Sequence, residues 1–178
     1  SNYVGMHPVA RVQMNPEAIL AENATARFSS IVIAHEGSHL DLGSRAVLQG
    51  KGSSAELVTR AITKGGTVIS RGYIAGVTDE TRGHIECRGL ILTDGTIHAI
   101  PEIDGRVTGT ELSHEAAVGR IARDEIEYLM SRGLSEEEAT ATIIRGFLDV
   151  KIEGLPPVLQ KQIDAAIDAS EAEIGRAH

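Results

Sequence analysis

The sequence predicts a mainly β chain that ends in helices: a β-helix (β-solenoid) core over residues 1–112 and a C-terminal helical domain over residues 113–178. Three observations carry this. Fourteen of the 19 glycines fall in residues 1–112, where Val, Ile and Thr recur between turn residues, as strands require. The remainder is rich in Ala, Glu, Ile and Leu, and so favours helix. The strands are short and the turns frequent. That limits the β part to a sandwich, a barrel or a solenoid, and suits a solenoid, where each rung packs only on its neighbours. No strict repeat is visible by eye.

Strands are expected at Phe28–Ala34, Ser38–Leu42, Ala46–Gln49, Ala55–Ile62, Thr67–Ala75, His84–Thr93, Thr96–Ile100 and Arg106–Glu111. Breaks fall at Gly43, Gly50-Lys51-Gly52, Gly65-Gly66, Asp94-Gly95 and Asp104-Gly105, residues that supply the backbone freedom of tight turns. The alternation has two faces: Leu57, Thr59 and Ala61 on one, Val58, Arg60 and Ile62 on the other.

Three helices follow. The first is expected from about Glu115 to Ser131, with Val118, Ile121, Ala122, Ile126, Leu129 and Met130 on one face, Ser113 as N-cap and Gly133 past its end. The second opens on Ser135-Glu136-Glu137-Glu138, the spacing of a capping box, with Ala139, Ile143, Phe147 and Val150 as its inner face. The third follows Pro156-Pro157 and repeats Leu159, Ile163, Ile167 and Ile174. Its polar side is mostly acidic, which reads as a solvated face or as a docking surface for a basic partner.

Charge and composition narrow the function. Seventeen basic against 25 acidic residues give a net charge of −8 and a pI near 5.3, which argues against nucleic acid as a partner. No apolar run approaches the ~18 residues of a membrane span. The single cysteine, Cys87, excludes an intrachain disulfide and fits a reducing cytoplasm. There is no P-loop, nucleophile elbow or His-Glu-x-x-His helix. A polysaccharide-cleaving solenoid would need a carboxylate cluster, yet no second acid joins Glu86 and Arg88 on their strand.

What remains is a set of metal-capable side chains: Cys87, His98, His114 and Glu115. A thiolate, imidazoles and a carboxylate suit iron, zinc or copper. Each also has a plainer reading. Cys87 is in phase with Ile85 and Ile91, as a buried small hydrophobe would be. His98 follows an Asp-Gly turn, as an exposed residue would. His114 and Glu115 fit capping and dipole chemistry at a helix start.

Three blocks of residues resemble a known family. They are Ala26-Arg27-Phe28-Ser29-Ser30-Ile31-Val32 with Gly37-Ser38-His39-Leu40-Asp41, then Gly83-His84-Ile85-Glu86-Cys87 with Leu90-Ile91-Leu92, and most specifically Ser113-His114-Glu115-Ala116-Ala117-Val118-Gly119-Arg120-Ile121 running on through Tyr128–Ala139 to Phe147. Together they resemble the SufB/SufD family of iron–sulfur cluster assembly proteins, over roughly residues 15–170. Family members are longer, so the chain looks like their C-terminal part.

The resemblance implies a right-handed parallel β-helix followed by a helical domain. It implies a non-enzymatic scaffold that pairs through its β-helix, as a homodimer or with a SufB-like chain. Its helices would dock a SufC-type ABC ATPase. It carries over a cofactor-binding set of Cys87, His114 and Glu115, with His98 as a further metal ligand. These would hold iron or an iron–sulfur cluster transiently, shared across a dimer interface. SufB-type chains have further cysteines that this sequence lacks, so a SufD-like structural adaptor for the ATPase is the alternative.

Overall fold

Residues 1–148 and 156–174 are described by a computed structural model of the chain. Strands β1 (Asn2–Gly5), β2 (Arg11–Met14), β3 (Glu17–Leu20), β4 (Thr25–His35), β5 (His39–Leu48), β6 (Ser54–Lys64), β7 (Thr67–Gly76), β8 (Thr81–Ile91), β9 (Thr96–Gly105) and β10 (Thr110–Arg120) come first. Helices α1 (Arg123–Ser131), α2 (Glu136–Leu148) and α3 (Pro157–Ile174) follow. The chain divides into two compact units, Ser1–Gly119 and Arg120–His178. The boundary expected after Leu112 lies inside β10.

The strands coil. One sheet runs β1-β4-β6-β8-β10 and the other β2-β5-β7-β9, with β3 also on β5. From β4 onward each strand skips its chain neighbour and pairs in parallel with the strand one turn away. This is the expected parallel β-solenoid with C-terminal helices. Phe28, Leu57 and Ile85 stand in one column, so each turn of the coil takes 28 or 29 residues. Side chains alternate in and out, and the inward ones form two apolar clusters between the sheets. Leu20, Leu48, Leu57, Ile74 and Ile85 build one, and Val32, Leu40, Leu42, Val68 and Ile97 the other.

Five expectations are corrected. No strand forms over Arg106–Glu111: β9 runs on through Asp104 and Gly105, residues 106–109 turn, and the next strand starts at Thr110. Ser38–Leu42 and Ala46–Gln49 are one strand, β5, because Gly43 does not mark a turn: the Asn15 side chain lies where a Cβ would stand. Three short strands precede Phe28, where none was read. The first helix starts at Arg123, and Ser113–Arg120 is strand. The open edge of β8 gives this stretch a ladder to join, which outweighs the helical spacing of Val118 and Ile121. The cap of α1 is accordingly Ala122, with no side-chain hydrogen bond, in place of Ser113. Finally, the inner face of α2 is turned: Ala139, Ala141, Ile144 and Leu148 are buried.

The remaining helix signals hold. Gly133 takes φ +102 past the end of α1, and its N–H bonds the Met130 carbonyl at 2.9 Å. The Ser135 N–H donates to Glu138 at 2.7 Å, and the Glu138 N–H to the Ser135 hydroxyl at 3.2 Å, closing the capping box. In α3, Ile163 is buried. Val150 lies outside the described residues, as do the side chains of Ile167 and Ile174.

Candidate functional site

Cys87 lies on the inner face of β8, between Ile85 and Gly89, and is 3% exposed. The register puts it in a column with Ser30 of β4 and Thr59 of β6. That column of small polar groups separates the two apolar clusters. From the facing sheet, the buried Ser70 of β7 lies close enough to the Cys87 thiol to favour its thiolate. Burial pushes the thiol above its ordinary value of 9.0; the Ser70 hydroxyl and the Arg60 charge pull it down, and Glu86 adds a small upward push. The result is a protonated, shielded thiol, with the reactivity of its thiolate held back.

β10 continues the same sheet past Cys87. Its Leu112 Cδ2 comes within 2.7 Å of where a Cβ on Gly83 would stand, and its Val118 Cγ2 within 3.2 Å of one on Gly89. These two glycines flank Ile85 and Cys87 and leave room for the inward side chains of β10. His114 alternates in phase with Leu112 and Val118, so it belongs to the inward row that Cys87 also faces. Val118, at 41% exposure, shows how open this last rung is.

Glu115 points the other way. On the outer face, Arg82 meets Glu111 at 3.2 Å, His84 Nδ1 meets the Ser113 hydroxyl at 2.8 Å, and Arg88 Nη2 donates to Glu115 at 3.0 Å. Arg88 Nε is also ion-paired with Glu86 Oε1 at 2.8 Å, and Glu86 Oε1 accepts from Arg60 Nη2 at 2.7 Å. A chain of alternating charge thus crosses three rungs, from buried Arg60 through Glu86 and Arg88 to exposed Glu115. Among the described residues, Arg60 Nε and Nη1 and the Ser29 hydroxyl are buried without a hydrogen-bond partner.

His98 is exposed on β9 and alternates with buried Ile97, so it faces outward from the second sheet. Within one chain, Cys87 and His114 share the inward side, while Glu115 and His98 face outward on different sheets. Among the described residues, no three His, Cys, Asp or Glu converge as a metal site. Sequence reading placed Glu86 and Arg88 on one outer face but missed Ser70 and Arg60. A search at the 28- to 29-residue period would have set Arg60 beside Arg88.

In the helical unit, Asp124, Glu125, Tyr128, Leu129 and Ile143 line a shallow depression. Tyr128 there is 59% exposed. No helix among the described residues is long and apolar enough to cross a membrane.

Comparison with known proteins gives consistent matches. Residues 9–147 match the family described as SUF system FeS cluster assembly, SufBD core domain. An iron–sulfur cluster assembly SufBD family protein of Archaeoglobus fulgidus is 50% identical over 98% of this chain and 47% of its own length. One from Methanothermobacter thermautotrophicus is 49% identical over 96% of this chain and 42% of its length. The iron–sulfur cluster assembly protein SufB of Bacillus subtilis is 36% identical over 79% of this chain and 31% of its length. The chain spans about half the length, or less, of these curated relatives.

Proposed function

The chain belongs to the SufBD family of SUF-system iron–sulfur cluster assembly proteins, and on that premise we propose that it is a scaffold component on which iron–sulfur clusters are built. Its chemistry is ligation and not turnover. Iron or the nascent cluster is cargo, held transiently. The observation that carries this reading is the sole cysteine, Cys87, on the inward row beneath the terminal strand that bears His114 on the same side.

In this reading Cys87 accepts sulfur or ligates iron as thiolate, and His114 is the second ligand. Glu115 and His98 face away from Cys87 of their own chain, so they would serve only a site completed by another subunit. The β-helix pairs with a second copy or a SufB-like chain, and the C-terminal helices dock a SufC-type ABC ATPase. The acidic depression around Tyr128 supports the helices as a docking element. A reducing cytoplasm is the compartment such a free thiol needs. The burial of Cys87 favours a second reading, a SufD-like structural adaptor for the ATPase without its own metal site.

Anaerobic iron–sulfide reconstitution, run beside calorimetric binding of the ATPase, tests both. Cys87→Ala is expected to keep its fold and bind the ATPase while losing the cluster. Full cluster loading by that variant would refute the scaffold role, and retained ATPase binding would then support the adaptor.

A further inference from the structure

The sequence carries two Asp-Gly pairs, Asp94-Gly95 and Asp104-Gly105, and neither takes part in the site described above. An aspartate followed by glycine is prone to rearrange without an enzyme. With no side chain on the second residue, its backbone nitrogen is free to reach the aspartate side-chain carbon. The fold treats the two pairs differently.

Asp94 is exposed in the bend that joins β8 to β9. Among the described residues its carboxylate has no hydrogen bond or ion pair, and the Gly95 N–H has no backbone acceptor. Gly95 takes φ +154, and a Cβ there would come within 2.4 Å of Thr63 Oγ1 and 2.9 Å of the Gly66 carbonyl. Thr63 Oγ1 donates to that carbonyl at 2.7 Å, and the Thr96 N–H reaches it at 3.0 Å, where the pairing of β9 with β7 begins. The corner therefore admits only glycine after Asp94, and the labile pair is built into the turn. Asp104 is clamped instead. Its Oδ2 accepts from the Tyr73 hydroxyl at 3.1 Å and from Arg106 Nε at 2.8 Å. Gly105 lies in β9 in register with Gly76, and the Arg106 N–H donates to the Gly76 carbonyl at 2.9 Å. An extended, paired backbone turns the Gly105 nitrogen away from the Asp104 side chain.

We propose that Asp94-Gly95 is a site of spontaneous modification, at which the main chain is rerouted through the Asp94 side chain to leave an isoaspartyl link before β9. The Gly95 nitrogen attacks Asp94 Cγ. An N–Cγ bond forms, and one carboxyl oxygen leaves as water, carrying the amide proton and a proton from solvent. Water then opens the cyclic imide. Cleavage of the new N–Cγ bond restores aspartate; cleavage between the Gly95 nitrogen and the Asp94 main-chain carbonyl carbon leaves isoaspartate. Nothing is oxidised or reduced, and the product has the composition of the parent. One more backbone carbon then stands against Thr63 and Gly66, and the freed main-chain carboxylate is the mark that a repair carboxyl methyltransferase reads. The proposal is independent of Cys87 and of the scaffold reading.

The full chain, incubated in warm neutral buffer made with heavy-oxygen water, takes up one heavy oxygen at each ring opening. Fragmentation mass spectrometry of the peptide places that label. Isoaspartate is counted by methyl transfer from labelled S-adenosylmethionine with a purified isoaspartyl methyltransferase. Asp94 is expected to gain label about tenfold or more faster than Asp104 in the folded chain, and within about twofold of it in urea, where the clamp is gone. Asp94→Glu should abolish most of the methyl count while keeping the β-sheet circular dichroism signal. Asp104→Glu should leave the count at the parent level. Equal labelling of the two aspartates in the folded chain would overturn the proposal. So would a folded chain that gains no label at Asp94 while the unfolded chain gains it at both.

Discussion

Replacing the two partners of the Arg60–Glu86 pair should have opposite consequences. The Arg60 side chain is 4% exposed and that of Glu86 15%. Their Nη2–Oε1 contact is 2.7 Å, while Arg60 Nε and Nη1 have no acceptor among the described residues. At an effective dielectric of ~20, the attraction of two unit charges 4 Å apart is about 4 kcal/mol. Against it stand the desolvation of a guanidinium and two unmet donors at about 1–3 kcal/mol each. The terms nearly cancel. Arg60→Met, which keeps the volume and removes both charge and donors, should therefore lie between no change and a gain of about 2 kcal/mol. Glu86→Ala leaves Arg60 buried and unpaired beside Arg88 and should cost about 3 kcal/mol or more. Urea unfolding followed by the β-sheet circular dichroism signal measures both, compared at equal m-value. If Arg60→Met loses as much stability as Glu86→Ala, the guanidinium is net stabilising and the reasoning fails.

Core substitutions should follow the inward rows: Ile74→Ala, 1% exposed, is expected to cost about 3 kcal/mol, whereas Ile19→Ala, 65% exposed, should stay within ~0.5 kcal/mol by the same urea assay. Ser135→Ala breaks the capping box and should cost about 1 kcal/mol, read as lost helical ellipticity. Hydrogen bonds from Ser135 hold the Glu138 carboxyl below its usual range, so that cap contributes above the unfolded carboxylate value and is lost as pH falls through the lower folded one. Cys87 shows the opposite sense. Its folded value is raised above 9.0, so the native state keeps a proton that the unfolded state sheds, and stability declines as pH rises past about 9. Urea midpoints on either side of that pH should show this component of the decline in the parent and not in Cys87→Ala.

How far the sequence could be read depended on how local each signal is. From Phe28 to Ile91 the alternation of Leu57, Thr59 and Ala61 against Val58, Arg60 and Ile62 is internal to each strand, and the strands are legible except where Gly43 reads as a break inside β5. Strands β1, β2 and β3 have four residues each and carry little pattern of their own; pairing with β4 and β5 makes them strands. The stretch from Ser113 to Arg120 was misread because Val118, Ile121, Ala122 and Ile126 satisfy helical spacing, while the free edge of β8, which decides the matter, is remote in sequence. At the site the same division holds. The burial of Cys87 was legible from its phase with Ile85, and the exposure of His98 from its turn. The partnership of Cys87 with Ser70, and the charge chain from Arg60, join residues on different strands, and only the period of the coil brings them together.

That geometry gives a reason for the position of the thiol. A β-helix buries its interior by stacking, so each rung seals the row beneath it and only an end row has a cover that can lift without unwinding the rest. Cys87 lies on β8, one strand in from β10, the last strand of its sheet among the described residues. A cysteine on β10 itself would stand in solvent, as Val118 does at 41% exposure, and would be open to oxidation. One rung earlier, in the place of Thr59, it would lie beneath β8, which is flanked by strands on both edges. On the outer face of the same strands, Arg88 and Glu115 pair at about half exposure, 47% and 53%. A pair of that exposure contributes little and weakens with salt.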